Sequence, residues 1–154
     1  MRFYYQSGAK IMPGWKPTGG RDSLLDTRLN AGIWNGKPIY IHVTSAAGYA
    51  AINGAMRINA TRPGGKNGIY LNPVSQCFSP NDAFTLLFFE NELYRDSASH
   101  CLVFAFNDHA HVEDNPISHG SWVREVIYRN DITFSDITIL YRGPNIFEDG
   151  NWQS

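Results

Sequence analysis

The chain has 154 residues, enough for one domain with a real core and too few for two. Its 43% hydrophobic and 18% charged residues argue against wholesale disorder, and a formal net charge of -1 leaves no basic footprint for nucleic acid. No apolar run approaches the ~20 residues of a membrane span, and the opening MRFYYQSGAK lacks the apolar core and cleavage site of a signal peptide.

Residues 1–30 are weakly patterned and read as an N-terminal arm or a cover over the core, followed by a single domain over 31–154. Pro13-Gly14 and the glycines at 19 and 20 punctuate the arm, and Asp22-Ser23 is placed to cap a short helix through Leu29. Asn35-Gly36 between two apolar segments is a strong hairpin signal. The strand that follows, 39–44, alternates: Tyr40, His42 and Thr44 fall on one face, Ile39, Ile41 and Val43 on the other. Ser45 is placed to cap a helix and Gly54 to end it in the left-handed conformation, with Tyr49, Ile52 and Met56 as its core stripe.

An irregular glycine-rich loop over 60–68 then delivers Ile69-Tyr70-Leu71 as a strand. Ser79-Pro80-Asn81-Asp82 reads as a helix start, ahead of Phe84, Leu87, Phe88 and Phe89 as apolar core. Residues 100–106 (HCLVFAF) are a buried strand, 107–120 a polar, turn-rich segment, 121–129 and 137–142 two further strands, and the last residues a tail. The sum is α+β: two small packed β-sheets, or one split and strongly bent sheet, with two or three short helices.

Cys77 and Cys101 are too few for a disulfide scaffold and lie outside any CxxC pair, so two free thiols in a reducing compartment are expected. His100, His109, His111 and His119 match no dense ligand motif, and no metal is expected. Gly64-Gly65-Lys66 lacks P-loop spacing and runs into a strand rather than a helix.

Four segments carry a resemblance. His42-Val43-Thr44 resembles the His-x-Ser/Thr motif that opens the H-Y-E class of ADP-ribosyltransferases, which includes the diphtheria-toxin-like and poly-ADP-ribose-polymerase-like enzymes. Gly54-Ala55-Met56-Arg57-Ile58 resembles the segment after their first helix. Asn67-Gly68-Ile69-Tyr70-Leu71 resembles their Gly-x-Gly-Ile-Tyr-Phe motif, with Lys66 in place of the first glycine. Glu125-Val126-Ile127-Tyr128 resembles the late strand that begins with the catalytic glutamate. Within the superfamily the series is most similar to bacterial polymorphic-toxin domains named for a histidine, tyrosine and aspartate signature.

The resemblance implies an ADP-ribosyltransferase-like fold and NAD+ as substrate. Glu125 would be the catalytic carboxylate, holding the 2′-hydroxyl of the nicotinamide ribose as positive charge develops on the sugar. By the same analogy His42 bonds the adenine-side ribose, the Val43 main chain clamps the carboxamide with Thr44 beside it, and Tyr70 stacks on the nicotinamide ring. Gly68 and Lys66 are expected near the pyrophosphate, and Phe84 or Phe78 as a second aromatic. Val123 stands where arginine-modifying relatives carry a glutamate or glutamine two residues before the catalytic glutamate, which argues against arginine as acceptor by that arrangement. Glu113 and Asp114, in the polar loop, are the rival acids.

The implied function is a mono-ADP-ribosyltransferase toxin or effector domain that breaks the nicotinamide–ribose bond and transfers ADP-ribose to a protein or nucleic-acid acceptor. An NAD+ glycohydrolase is the near alternative. A silent module binding ADP-ribose, an RNA end or a partner protein is the distant one. The toxin reading implies delivery into a target cell's cytoplasm and a cognate immunity protein. No membrane partner is expected.

Overall fold

The computed structural model describes residues 32–60, 67–74, 78–115 and 124–147. The arm over 1–30, its helix through Leu29, and Lys66, Cys77, His119 and Val123 lie outside the described residues. What is described is α+β, with two α-helices and two sheets among the described residues.

The chain enters through β1 (Ile33–Trp34) and turns at Asn35 (φ 52°) and Gly36 (φ 74°) into β2 (Lys37–Thr44). Two consecutive positive φ values are what a two-residue hairpin of the primed type requires, and Asn-Gly supplies them at least cost. α1 (Ala46–Ala55) follows, capped by the Ser45 hydroxyl, which accepts the Gly48 N–H at 3.1 Å. Then come β3 (Arg57–Ile58), β4 (Ile69–Pro73), α2 (Pro80–Leu86) and β5 (His100–Phe106). β6 (Glu113–Asp114), β7 (Val126–Tyr128), β8 (Ile132–Thr133) and β9 (Ile137–Pro144) complete the order.

The main sheet runs β6-β7-β4-β2-β5-β9, with β1 folded onto β2, and every pairing in it is antiparallel. The pair β3 and β8 forms the second sheet. On one face of the main sheet, Tyr40, Leu71, Leu102, Phe104 and Val126 pack with Ile58 and Ile132 of the small sheet and with Tyr49 and Ile52 of α1. On the other, Ile39, Ile41, Cys101 and Val103 pack with Val74 and Phe147. Both faces of β5 are therefore covered, which explains its unbroken apolar run. The same covering overrides the half-polar face that alternation predicts for β2 at Tyr40, which is buried, while His42 and Thr44 on that face stay half-buried.

Several elements depart from expectation. Gly54 does not end α1. It sits inside the helix with nothing near its missing side chain, and Met56 takes the left-handed position at φ 56°. Two tertiary demands set that end: the Met56 carbonyl accepts the Phe134 N–H at 3.0 Å, and Ile58 must reach the core. Met56 is accordingly 61% exposed rather than part of the core stripe. α2 starts as predicted, with Ser79 accepting the Asp82 N–H and Pro80 in the first turn. It stops at Leu86, however, and Phe89 is exposed at φ 58°.

The strand predicted over 121–129 is only Val126–Tyr128 among the described residues, and the polar segment before it holds β6. The chain end is no loose tail as far as Phe147. Asn145 donates its side-chain N–H groups to the Phe78 and Ala98 carbonyls at 3.0 and 2.9 Å, and Phe147 is buried.

Candidate functional site

The central observation is a fork between β2 and β4. All of Ile39 to Thr44 is in register with β5, but only Tyr40 and Ile41 are in register with β4, opposite Pro73 and Asn72. Proline has no N–H, so the mutually bonded pair must be Ile41 with Asn72. Continued, that register would bond Val43 to Tyr70. Instead the His42 imidazole reaches across, its Nδ1 lying 3.1 Å from the Tyr70 carbonyl oxygen. The ring stands in for a ladder bond between the two strands. By parity with Ile41, the Val43 main chain turns to the same edge, now beyond the last registered pair.

A carbonyl can only accept, so in neutral His42 the proton sits on Nδ1 and Nε2 carries a lone pair. Burial pushes the His42 pKa below its ordinary value, and the bond to the Tyr70 carbonyl opposes this only in part. The ring is thus a neutral acceptor at pH 7.

β4 lies between β2, which carries His42, and β7, which Glu125 immediately precedes. Its register with β7 pairs Tyr70 with Ile127 and Leu71 with Val126, and the same register continued one step past the ladder would set Glu125 opposite Asn72. The side chain of Asn72 supports that step by donating to the Arg124 carbonyl at 2.9 Å. Opposed residues share a face, so that continued register makes Tyr70 and Glu125 diagonal neighbours on one face. Both are half-buried. Asn115 closes the far side of Glu125. Its N–H donates to the Glu125 carbonyl at 2.9 Å, and its Nδ2 donates to Glu125 Oε1 at 2.7 Å.

The remaining predicted residues are placed as follows. A side chain at Gly48 would fall 2.2 Å from Thr44 Oγ1, so this hydroxyl lies against the first turn of α1. One at Gly68 would fall 2.4 Å from Ile127 Cγ2, so glycine there lets β4 close onto β7. Phe84 lies on α2, whose neighbours Phe78, Ala83 and Leu86 pack with the Val43 side chain. The Arg95 guanidinium covers its ring at 4.2 Å.

The rival acids are engaged elsewhere: Glu113 bonds Arg129 at 2.6 Å, and Asp114 bonds Arg124 at 3.3 Å. Arg129 also donates to the Asn67 carbonyl at 2.9 Å, tying the entry of β4 to β7. Asn115, which the sequence reading passes over, sits in a polar segment with no periodicity to mark it.

Among the described residues, no group of three His, Cys, Asp or Glu side chains is arranged to hold a metal. His100 instead stacks on Tyr49, ring centroids 5.0 Å apart, and its Nδ1 is 3.0 Å from the Ser99 hydroxyl. Burial pushes the Cys101 thiol up to about 12, which makes it inert at neutral pH. A separate cavity of about 390 Å3 lies beyond the hairpin end of β2, lined by Lys37, Tyr40, Phe106, His109 and His111 among others. It contains none of His42, Tyr70 and Glu125. The fork, with its carboxylate and aromatic on one face, is the better candidate for chemistry.

No family model, no curated protein and no solved structure matches this chain.

Proposed function

We propose that the chain is a mono-ADP-ribosyltransferase of the H-Y-E type, an effector or toxin domain acting on NAD+. One observation carries the reading: the His42 ring takes the Tyr70 carbonyl between β2 and β4, while β4 carries Tyr70 alongside β7, which Glu125 immediately precedes. A dinucleotide in that fork would meet an aromatic face, a ring acceptor, main-chain groups at Val43 and one carboxylate. Those are the groups the cleavage of a nicotinamide glycoside needs.

In this mechanism Tyr70 stacks on the nicotinamide ring and the Val43 main chain bonds its carboxamide. His42 Nε2 accepts from an adenine-side ribose hydroxyl. The C1′–N bond breaks, and nicotinamide leaves as a neutral molecule with the bonding electrons. Positive charge develops on the ribose and is stabilised by Glu125. An acceptor nucleophile then adds to C1′ and loses its proton. Water in the acceptor's place gives free ADP-ribose by the same residues.

Labelled NAD+, incubated with and without cell lysate, tests this. Label on a macromolecule is the expected result, and mass spectrometry of the labelled material then identifies the acceptor. Free ADP-ribose alone assigns hydrolysis instead, and intact NAD+ in both incubations rejects an enzyme. Glu125→Ala is expected to lower turnover on the order of 100-fold or more while leaving the circular dichroism spectrum unchanged. A Glu125→Ala protein with wild-type turnover removes the glutamate from the mechanism.

A further inference from the structure

We infer that Asn115 is a positioning residue for Glu125, an inference that rests on the catalytic reading of that glutamate. Two bonds hold the pair. Asn115 N–H to the Glu125 carbonyl, 2.9 Å, extends the β6–β7 ladder one residue past both strands and places the glutamate's main chain. Asn115 Nδ2 to Glu125 Oε1, 2.7 Å, is a second and separable contact that acts on the carboxylate itself.

A glutamate's terminal torsion is soft and roughly two-fold, so a strand alone does not aim its oxygens. A donor on Oε1 restricts that freedom and orients the carboxylate. The donor also has a sign. An amide N–H bonds the ionised carboxylate and favours the charged form, which is the form that stabilises a developing cation. The opposite amide orientation would set a carbonyl oxygen against a carboxylate oxygen at 2.7 Å, which an ionised Glu125 excludes. The segment bearing Asn115 also carries Glu113, whose ion pair with Arg129 fixes it against β7. The amide is therefore presented from the residue just past a braced strand.

Two variants separate this role from a structural one. Asn115→Ala keeps the main-chain bond and deletes the side-chain donor. Asn115→Asp keeps the shape and replaces the donor with a like charge. In Asn115→Ala, kcat for NAD+ cleavage is expected to fall on the order of 10- to 100-fold with KM little changed. The acid limb of the pH profile is expected to move upward, and further in Asn115→Asp, where two carboxylates compete for one proton.

The δ-carboxyl of Glu125, labelled with carbon-13 and assigned with Glu125→Gln, is expected to titrate at higher pH in both variants. Wild-type kcat in both variants overturns the inference whatever the titration gives, and an unmoved titration overturns it whatever the rates give. A wild-type chain that leaves NAD+ intact removes the catalytic reading alone. In that case the titration decides whether Asn115 holds the carboxylate.

Discussion

His42 makes a single bond that does two things. It ties β4 to β2 beyond their last registered pair, and it decides which ring nitrogen carries the proton. Because burial lowers its pKa, the folded chain resists protonation where the unfolded chain does not. The sign follows directly. Between the folded value and the ordinary 6.5 the unfolded state binds the extra proton, so stability is full above 6.5 and falls as pH drops below it. The decline from this residue stops once pH passes the depressed folded value. Urea midpoints at about pH 7.5 and 5.5 are expected to differ in the wild type and to differ less in His42→Gln, whose amide can still donate to the Tyr70 carbonyl. Equal differences in the two proteins would remove His42 as the source. If the proposed function holds, KM for NAD+ is expected to stay level through this window and to rise only below the depressed folded value, where Nε2 of the folded chain takes a proton and no longer accepts.

Among the elements, those decided by local chemistry are the ones that were legible. Asn35-Gly36 turns as its φ preferences require, Ser45 and Ser79 cap, and His100–Phe106 matches the predicted strand because both of its faces are covered. The small sheet was not legible. Arg57–Ile58 and Ile132–Thr133 are two residues each, and neither is a strand without a partner far away in sequence. The end of α1 failed for the same reason: Gly54 is the better local terminator, but Ile58 and the Met56–Phe134 bond need the helix to run on. That conflict leaves a glycine inside a helix and a methionine in the left-handed region. Gly54→Ala is expected to stabilise the fold by about 0.5–1 kcal/mol, since the position is open and helical. Met56→Gly is expected to gain up to about 1 kcal/mol by relieving the positive φ at an exposed site. Chemical denaturation of the two single variants checks both signs, and a loss of stability in Gly54→Ala would contradict the open space around it.

At the scale of the whole molecule, the order of the strands brings the candidate site together. His42, Tyr70 and Glu125 stand out in the sequence as candidates, but what brings their segments together is β4 lying between β2 and β7, which no local pattern encodes. What places β4 runs back to Asp131, the residue before β8. One of its oxygens accepts the Ala60 N–H at 2.7 Å, and the other bonds Arg57. The Ala60 carbonyl in turn accepts the Gly68 N–H at 2.6 Å, one residue before β4 begins. A single carboxylate beside the small sheet therefore anchors the entry of the strand that carries Tyr70. The Ala60 N–H, and then Arg57, hold the Asp131 carboxyl below its ordinary value of 3.8. Its contribution to stability is accordingly present above 3.8 and lost as pH falls through the depressed folded value. Asp131→Asn keeps an oxygen for Ala60 but gives up the charge. It is expected to be less stable than the wild type near neutral pH, with the difference shrinking as both are acidified below about pH 4. Urea midpoints measured in parallel on the two proteins test this. A gap that stays constant down to about pH 2.5 would mean the anchor does not depend on the Asp131 charge, and would leave the position of Tyr70 to be set by the β4–β7 ladder alone.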